Sequence, residues 1–153
     1  MPVETLKKYL DSNHIKYVSM KHSLAYTAQE IAASAHIHGK ELAKTVVVKI
    51  KGKMAMAVLP ANNRIDMNRL KEAVGARDVS FADEAEFQEL FPGCAPGAMP
   101  PFGNLYDMEV FADPLLAEDE EIVFNAGSHT ELIRMSFKDY QRLVDPKIVK
   151  ITE

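Results

Sequence analysis

Apolar positions along this chain follow a helical period in some stretches and alternate in others, and the two patterns succeed each other without a fixed repeat. Val3, Leu6 and Leu10 predict an opening helix over residues 3 to 12, after which KYVSMKH, residues 16 to 22, reads as a short strand. Thr27 with Glu30 forms a capping-box pattern that opens a helix through about Ala35, with Ile31 inward. KTVVVKI (44 to 50) and MAMAVLP (54 to 60) are β-rich runs joined through Lys51, Gly52 and Lys53, which predicts a hairpin. Asp66 is placed to cap a helix bearing Met67, Leu70 and Val74, and Gly75 to end it. A further helix begins at Ser80 or Asp83 and carries Phe87, Leu90 and Phe91. Strand-like segments follow at about 105 to 112, 121 to 125 and 130 to 135. Ser136 with Asp139 caps a last helix holding Phe137, Tyr140 and Val144, and KIVKI closes the chain. Hairpins mixed with helices, lacking a regular strand-helix-strand alternation, predict an α+β (mixed α/β) fold with a largely antiparallel mixed sheet and surrounding helices.

At 153 residues the chain fits one compact domain over 1 to 153, and its 47% apolar and 26% charged content disfavours disordered, collagen-like and coiled-coil classes. The single cysteine, Cys94, excludes an internal disulfide and fits a reducing compartment. The N-terminus MPVETLKKYL has no apolar signal core and no run is long enough to cross a bilayer, so a cytoplasmic protein without membrane association is expected.

The net charge is −4, but its distribution matters more than its sum. Residues 40 to 71 hold eight basic side chains, among them Lys44, Lys49, Lys51, Lys53 and Arg64, against Glu41 and Asp66, a block of +6. Residues 72 to 121 hold thirteen acids and one base, Arg77, a block of −12. A phosphate-bearing partner would be attracted to one side and repelled from the other. Lysines guarding a strand edge would give the same pattern.

One segment resists explanation by core packing. PGCAPGAMPPFG, residues 92 to 103, holds four prolines and three glycines. Such a run builds a stiff loop able to present backbone N–H groups around Gly97, Ala98 and Met99 to something small and polar, although a plain connector can have the same composition. Lys44 lies on the strand face shared by Val46, Val48 and Ile50, where it either snorkels to water or reaches into a cleft as a fixed cation. His129, in the turn NAGSHTE, can position water or transfer a proton, or be an ordinary surface residue. His22 can face the same cleft. His36 and His38 have no paired cysteine and no HExxH pattern, so no metal is expected. Cys94 as a nucleophile would need a base, and nothing specific recommends it. There is no GxSxG elbow, Walker loop or dinucleotide fingerprint.

Taken together, AKTVVVKIKGKMAMAVLPAN, NRIDMNRLKEAVGA, PGAMPPFG, VFADPLL and FNAGSHTELIRMS closely resemble the YbaK/ProX-like family of aminoacyl-tRNA deacylases, free-standing relatives of the editing domain inserted in bacterial prolyl-tRNA synthetases. The resemblance spans about Tyr17 to Val144. Its most telling parts are Lys44 before the valine-rich strand and the GxxxP loop, Gly97 through Pro101. It implies a hydrolase that removes a wrong amino acid from the 3′ end of tRNA, with Lys44 contacting the terminal nucleotide or acyl group and the loop, including Ala98, Met99, Pro100 and Pro101, shaping the acyl pocket. His129 stands where many members carry a histidine. His22, Tyr26, Thr27 and Gly127 are expected to line the substrate, which carries a small residue such as alanine, serine, threonine or cysteine. No cofactor is implied. The partners implied are the aminoacyl end of a tRNA and, with it, a synthetase. A non-catalytic module that binds aminoacyl-tRNA or a synthetase is the alternative of a different class.

Overall fold

The computed structural model describes residues 2–21, 42–95 and 97–153. Helix α1 (Pro2–Ser12) leads into β1 (Tyr17–Lys21). The hairpin follows as β2 (Ala43–Ile50) and β3 (Lys53–Pro60), turned at Lys51 and Gly52, whose φ values of 53° and 80° make the two-residue turn that matches strand twist. Helix α2 (Met67–Val74) begins at Asp66, whose carboxylate accepts from the N–H groups of Asn68 and Arg69, and closes at Gly75 in the left-handed conformation. The helix expected at residues 27 to 35 lies outside the described residues.

Two sheets organise the chain. Strands β6 (Glu121–Asn125) and β7 (Glu131–Ser136) join β1 in an antiparallel sheet of order β1-β7-β6. The second has the order β4-β2-β3-β5-β8, with β4 (Val79–Phe81), β5 (Glu109–Ala112) and β8 (Lys147–Ile148); its β3-β5 and β5-β8 pairs are parallel. A parallel bridge between Leu42 and Val123 links β2 to β6 and so connects the sheets. The α+β class with a mostly antiparallel mixed sheet is what the alternating patterns predicted.

Two expectations need correction. Ser80 does not start a helix, because Val79, Ser80 and Phe81 pair with Ile50, Lys49 and Val48 as the edge strand β4; Asp83 alone caps the short helix α3 (Glu84–Phe87), in a capping box with Glu86. The strand expected from 105 begins only at Glu109. Residues Gly103–Leu105 form a tight turn, the N–H groups of Tyr106 and Met108 both return to the carbonyl of Gly103, and Asp107 takes φ 57°. A Cβ on Gly103 would meet the Met108 carbonyl and a Val110 methyl at 2.5 Å, so this backbone crossing admits only glycine.

The main core lies on one face of both sheets. Leu6 and Leu10 of α1 meet Val47, Met56 and Val58 of the second sheet, Phe124 and Ile133 of the first, and Tyr140 of helix α4 (Phe137–Val144), itself capped by Ser136. On the opposite face of β2, Val48 packs with Leu70 of α2, Phe111 and Ile151. A third, smaller cluster of Leu42, Val123 and Leu132 sits where the sheets join.

The segment D-P-L-L fastens the C-terminus. Fully buried Asp113 accepts from the N–H groups of Leu115 (2.9 Å), Ile151 (3.0 Å) and Thr152 (3.1 Å). A carboxylate receiving three amides is satisfied; removing it strands donors in the interior, each costing about 1 to 3 kcal/mol. Asp113→Ala is therefore expected to lower stability by about 3 kcal/mol or more in urea unfolding, with Asp113→Asn intermediate. Equal midpoints for all three proteins would contradict the role given to this carboxylate.

Candidate active site

The Pro/Gly loop is attached to the β6-β7 turn by paired backbone bonds. The N–H of Ala95 donates to the carbonyl of Gly127 and the N–H of Gly127 donates to the carbonyl of Ala98, both at 2.9 Å. Gly97 is exposed at the tip with φ 79°, a conformation that side chains disfavour, and a Cβ built there would lie 3.6 Å from Cε1 and 3.8 Å from Nε2 of His129. Sequence positions 97 and 129 are thus brought into direct apposition.

The turn carrying His129 is built locally. Gly127 has φ 100°, the Ser128 hydroxyl accepts from the Thr130 N–H at 3.0 Å, and the two hydroxyls meet at 2.8 Å. At its base the N–H of Ala126 donates to the carbonyl of Glu131, whose side chain is held by Lys7 at 2.7 Å and by the Ser19 hydroxyl. Burial by itself would raise the Glu131 carboxyl, but those two donors outweigh it and hold it below its ordinary value.

The loop's second half is anchored in the main core. Ala98, Met99, Pro100 and Pro101 are buried, Met99 lies against that core, and the Pro101 carbonyl accepts from the Tyr140 hydroxyl at 2.8 Å. Phe102 is fully buried between Phe124 and Tyr140. The prolines therefore stiffen the wall from behind. Of the three amides expected to face a ligand, that of Ala98 is bonded to the Ala95 carbonyl at 3.0 Å, whereas those of Gly97 and Met99 have no backbone acceptor among the described residues.

Lys44 comes from the other sheet. It is the second residue of β2, opposite Leu59, half-buried, on the face of Val46, Val48 and Leu42. Because Leu42 and Val123 are bridged in parallel and side chains alternate, Lys44 and Asn125 stand two residues further along on one common face, and two more residues bring β6 to Gly127. Burial lowers the Lys44 ammonium pKa, and the positive charge of Arg64 lowers it further. Arg64, which sequence reading left among the general basic residues, is the neighbour that matters here. The signal that could have found it is its place four residues beyond the end of β3.

His22, Tyr26 and Thr27 lie outside the described residues. Among those described, no cluster of three or more histidine, cysteine or acidic side chains could hold a metal, and no helix is long and apolar enough to cross a membrane. A cavity of about 650 Å³ lies between the hairpin tip, the end of α2 and the Asp107 turn, lined by Lys51, Lys53, Met54, Phe111 and Lys147. At about 3.3 Å per strand residue it is roughly 20 Å along β2 from Lys44, so none of the predicted site residues borders it.

Cys94 is half-buried behind the loop, its sulfur 3.9 Å from the Tyr106 hydroxyl. Burial raises its pKa, and the contact with Tyr106 only partly opposes that, so the thiol stays protonated near neutrality. Cys94→Ser should retain hydrolysis within about twofold, since a thiol that stays protonated does not act as the nucleophile. Loss of activity in a variant with unchanged melting would return Cys94 to the chemistry.

A glycine-tipped loop thus faces a histidine turn, with a partly desolvated lysine near the junction of the two sheets. Residues 22–143 match the model of the aminoacyl-tRNA editing domain, and the chain belongs to that family. It is 37% identical over 125 residues to the multifunctional Ser/Thr-tRNA deacylase ProXp-y of Escherichia coli K12, covering 76% of this chain and 74% of that protein. It is 25% identical over 141 residues to the prolyl-tRNA editing protein ProX of Acetoanaerobium sticklandii, covering 88% and 85%. A solved structure described as a candidate trans-editing enzyme for prolyl tRNA synthetase shares the fold, with a TM-score of 0.85 and 21% identity over 99% of this chain and 97% of that one.

Proposed function

We propose that the chain is a free-standing editing hydrolase that cleaves the ester between a small amino acid, of the alanine, serine, threonine or cysteine class, and the 3′-terminal ribose of a mischarged tRNA. The deacylase activity itself follows from the family to which the chain belongs. The observation that carries the site assignment is the apposition of Gly97 and His129 across paired backbone bonds, at the end of the strand that bridges to the start of β2.

An aminoacyl ester is already activated, so the protein needs no covalent nucleophile. Water adds to the ester carbonyl, and the N–H groups of Gly97 and Met99 receive the negative charge that grows on its oxygen; one such donor is worth about 3 to 4 kcal/mol in other enzymes. The tetrahedral intermediate collapses with release of the amino acid, and the proton lost by the water reaches the departing ribose oxygen through the neighbouring ribose hydroxyl. Lys44 holds the terminal nucleotide, and His129 orients water or a substrate oxygen from the facing turn. His22, Tyr26 and Thr27 are the residues that the family resemblance assigns to the acyl group. The synthetase enters as the source of the mischarged tRNA.

One methylene in an apolar pocket discriminates by only about 1 to 3 kcal/mol, so selectivity among small acyl groups rests on polar contacts as well as size. Multiple-turnover deacylation of a panel of tRNAs mischarged with alanine, serine, threonine or cysteine tests the reading. Turnover of at least one is expected; binding of all four without turnover would favour the non-catalytic module.

A further inference from the structure

The turn that carries His129 hangs from one residue. Glu131 opens β7, and its carbonyl accepts from the N–H of Ala126 at 3.1 Å, so that Gly127 to Thr130 are enclosed by a single backbone bond. Its side chain is only 9% exposed and lies, by strand alternation, on the face of Ile133 and Met135, toward the main core. There the carboxylate meets two donors from the start of the chain, the Lys7 ammonium of α1 at 2.7 Å and the Ser19 hydroxyl of β1. Both donors precede residues 22–143, the segment that matches the editing-domain model. On its other side the turn is tied to the Pro/Gly loop by the bonds from Ala95 to Gly127 and from Gly127 to Ala98. A continuous path of bonds therefore runs from α1 and β1, through Glu131, to the loop that presents Gly97.

Stability alone does not account for this arrangement. Taking two charges out of water costs about as much as their attraction returns, and an apolar pair of similar volume packs as well or better. What an apolar pair lacks is direction. A carboxylate that accepts from donors on two different elements fixes where β7 begins and how the turn before it is aimed. Lys7 is held above its ordinary pKa, first by the hydrogen bond to Glu131, and Glu131 is held below its own, so the pair is ionised at neutral pH.

We infer that Glu131 is a positioning residue for deacylation: braced by Lys7 and Ser19, it holds the His129 turn, and through Gly127 the Gly97 loop, in the register that the ester requires. This rests on the editing reading of the site and adds to it the N-terminal helix and strand. Glu131 faces the core and acts through the backbone, so its loss belongs in kcat and not in KM.

The test compares wild type with Glu131→Gln, Lys7→Arg and the apolar pair Lys7→Met with Glu131→Leu, in melting, in deacylation of the preferred mischarged tRNA, and in amide hydrogen exchange well below the melting temperature. A misplacement of about 1 Å costs about 100-fold in rate, so Glu131→Gln, which keeps the shape and loses the charge, should lower kcat about tenfold with KM within about twofold. Lys7→Arg keeps the charge and should stay within about twofold of wild type. The apolar pair separates positioning from stability: its melting should equal or exceed that of wild type while kcat stays about tenfold down. If that pair melts below wild type, Ser19→Ala takes its place, with kcat lowered about threefold at unchanged melting sustaining the role and unchanged kcat overturning it. Recovery of kcat along with melting, a loss carried by KM, or an unaltered kcat in Glu131→Gln would each overturn the positioning role and leave the deacylase intact. Exchange reads the brace without turnover: in Glu131→Gln the Gly127 amide, bonded to the Ala98 carbonyl, should exchange about tenfold faster, while that of Leu70 in α2, bonded to the Asp66 carbonyl, stays as in wild type. If wild type deacylates no tRNA of the panel, the editing reading fails instead, and exchange alone decides the brace. Faster exchange at Gly127 sustains it, and equal rates overturn it.

Discussion

Lys44→Ala is expected to lower kcat/KM for deacylation by at least about 100-fold, because a terminal nucleotide that is no longer held leaves the ester misplaced against the loop, while melting is unchanged or slightly raised. The stability half of this expectation follows from the lysine's surroundings. Its ammonium is partly desolvated and repelled by Arg64, so alanine relieves an unfavourable state and, among the described residues, leaves no carboxylate that was paired with it. Circular dichroism melts beside single-turnover kinetics check both halves; full activity would remove Lys44 from the site. The same environment gives a pH signature. The Lys44 pKa is lowered, so its positive charge is lost, as pH rises, earlier than for a free lysine. Enzymatic deacylation, corrected for spontaneous ester hydrolysis, should fall through that range. Lys44→Arg should not show this fall, because a guanidinium keeps its proton there.

Substitution at Gly97 should give a graded loss. In Gly97→Ala the new Cβ meets His129 at an ordinary 3.6 Å, so the penalty is mainly that of φ 79°, about 1 to 2 kcal/mol of stability, with activity reduced several-fold. In Gly97→Val the branched methyls press on the imidazole as well, the loop and the His129 turn must part, and deacylation should fall by about 100-fold or more, chiefly in kcat. Steady-state kinetics on both variants, with melting curves, checks the order. Equal activity of the glycine, alanine and valine proteins would contradict the role given to the loop.

Much of the fold was legible because its elements carry local signals. Asp66 and Gly75 bracket α2, Ser136 caps α4, and alternation marks the β2-β3 hairpin. Strand β4 was missed because three residues, two of them exposed, show no alternation of their own; their pairing with β2 is a tertiary fact. The turn before β5 was misread because Gly103 is required by contacts with Met108 and Val110 that no spacing announces. At the site, the residue types of Lys44 and Gly97 stood out in sequence, and the meeting of Gly97 with His129 needed coordinates. Arg64 was hidden because its relation to Lys44 depends on a reversal of chain at Pro60 and on a C-terminus clamped by Asp113.

The central claim, that Lys44 and the Gly97 loop serve one ligand, is tested most directly by NMR titration with a non-hydrolysable 3′-aminoacylamino analogue of adenosine 5′-phosphate. The account predicts that the amides of Gly97 and Met99 and the side-chain resonances of Lys44 shift with one common dissociation constant. Saturation of the loop amides while Lys44 stays unmoved, or the reverse, would contradict it.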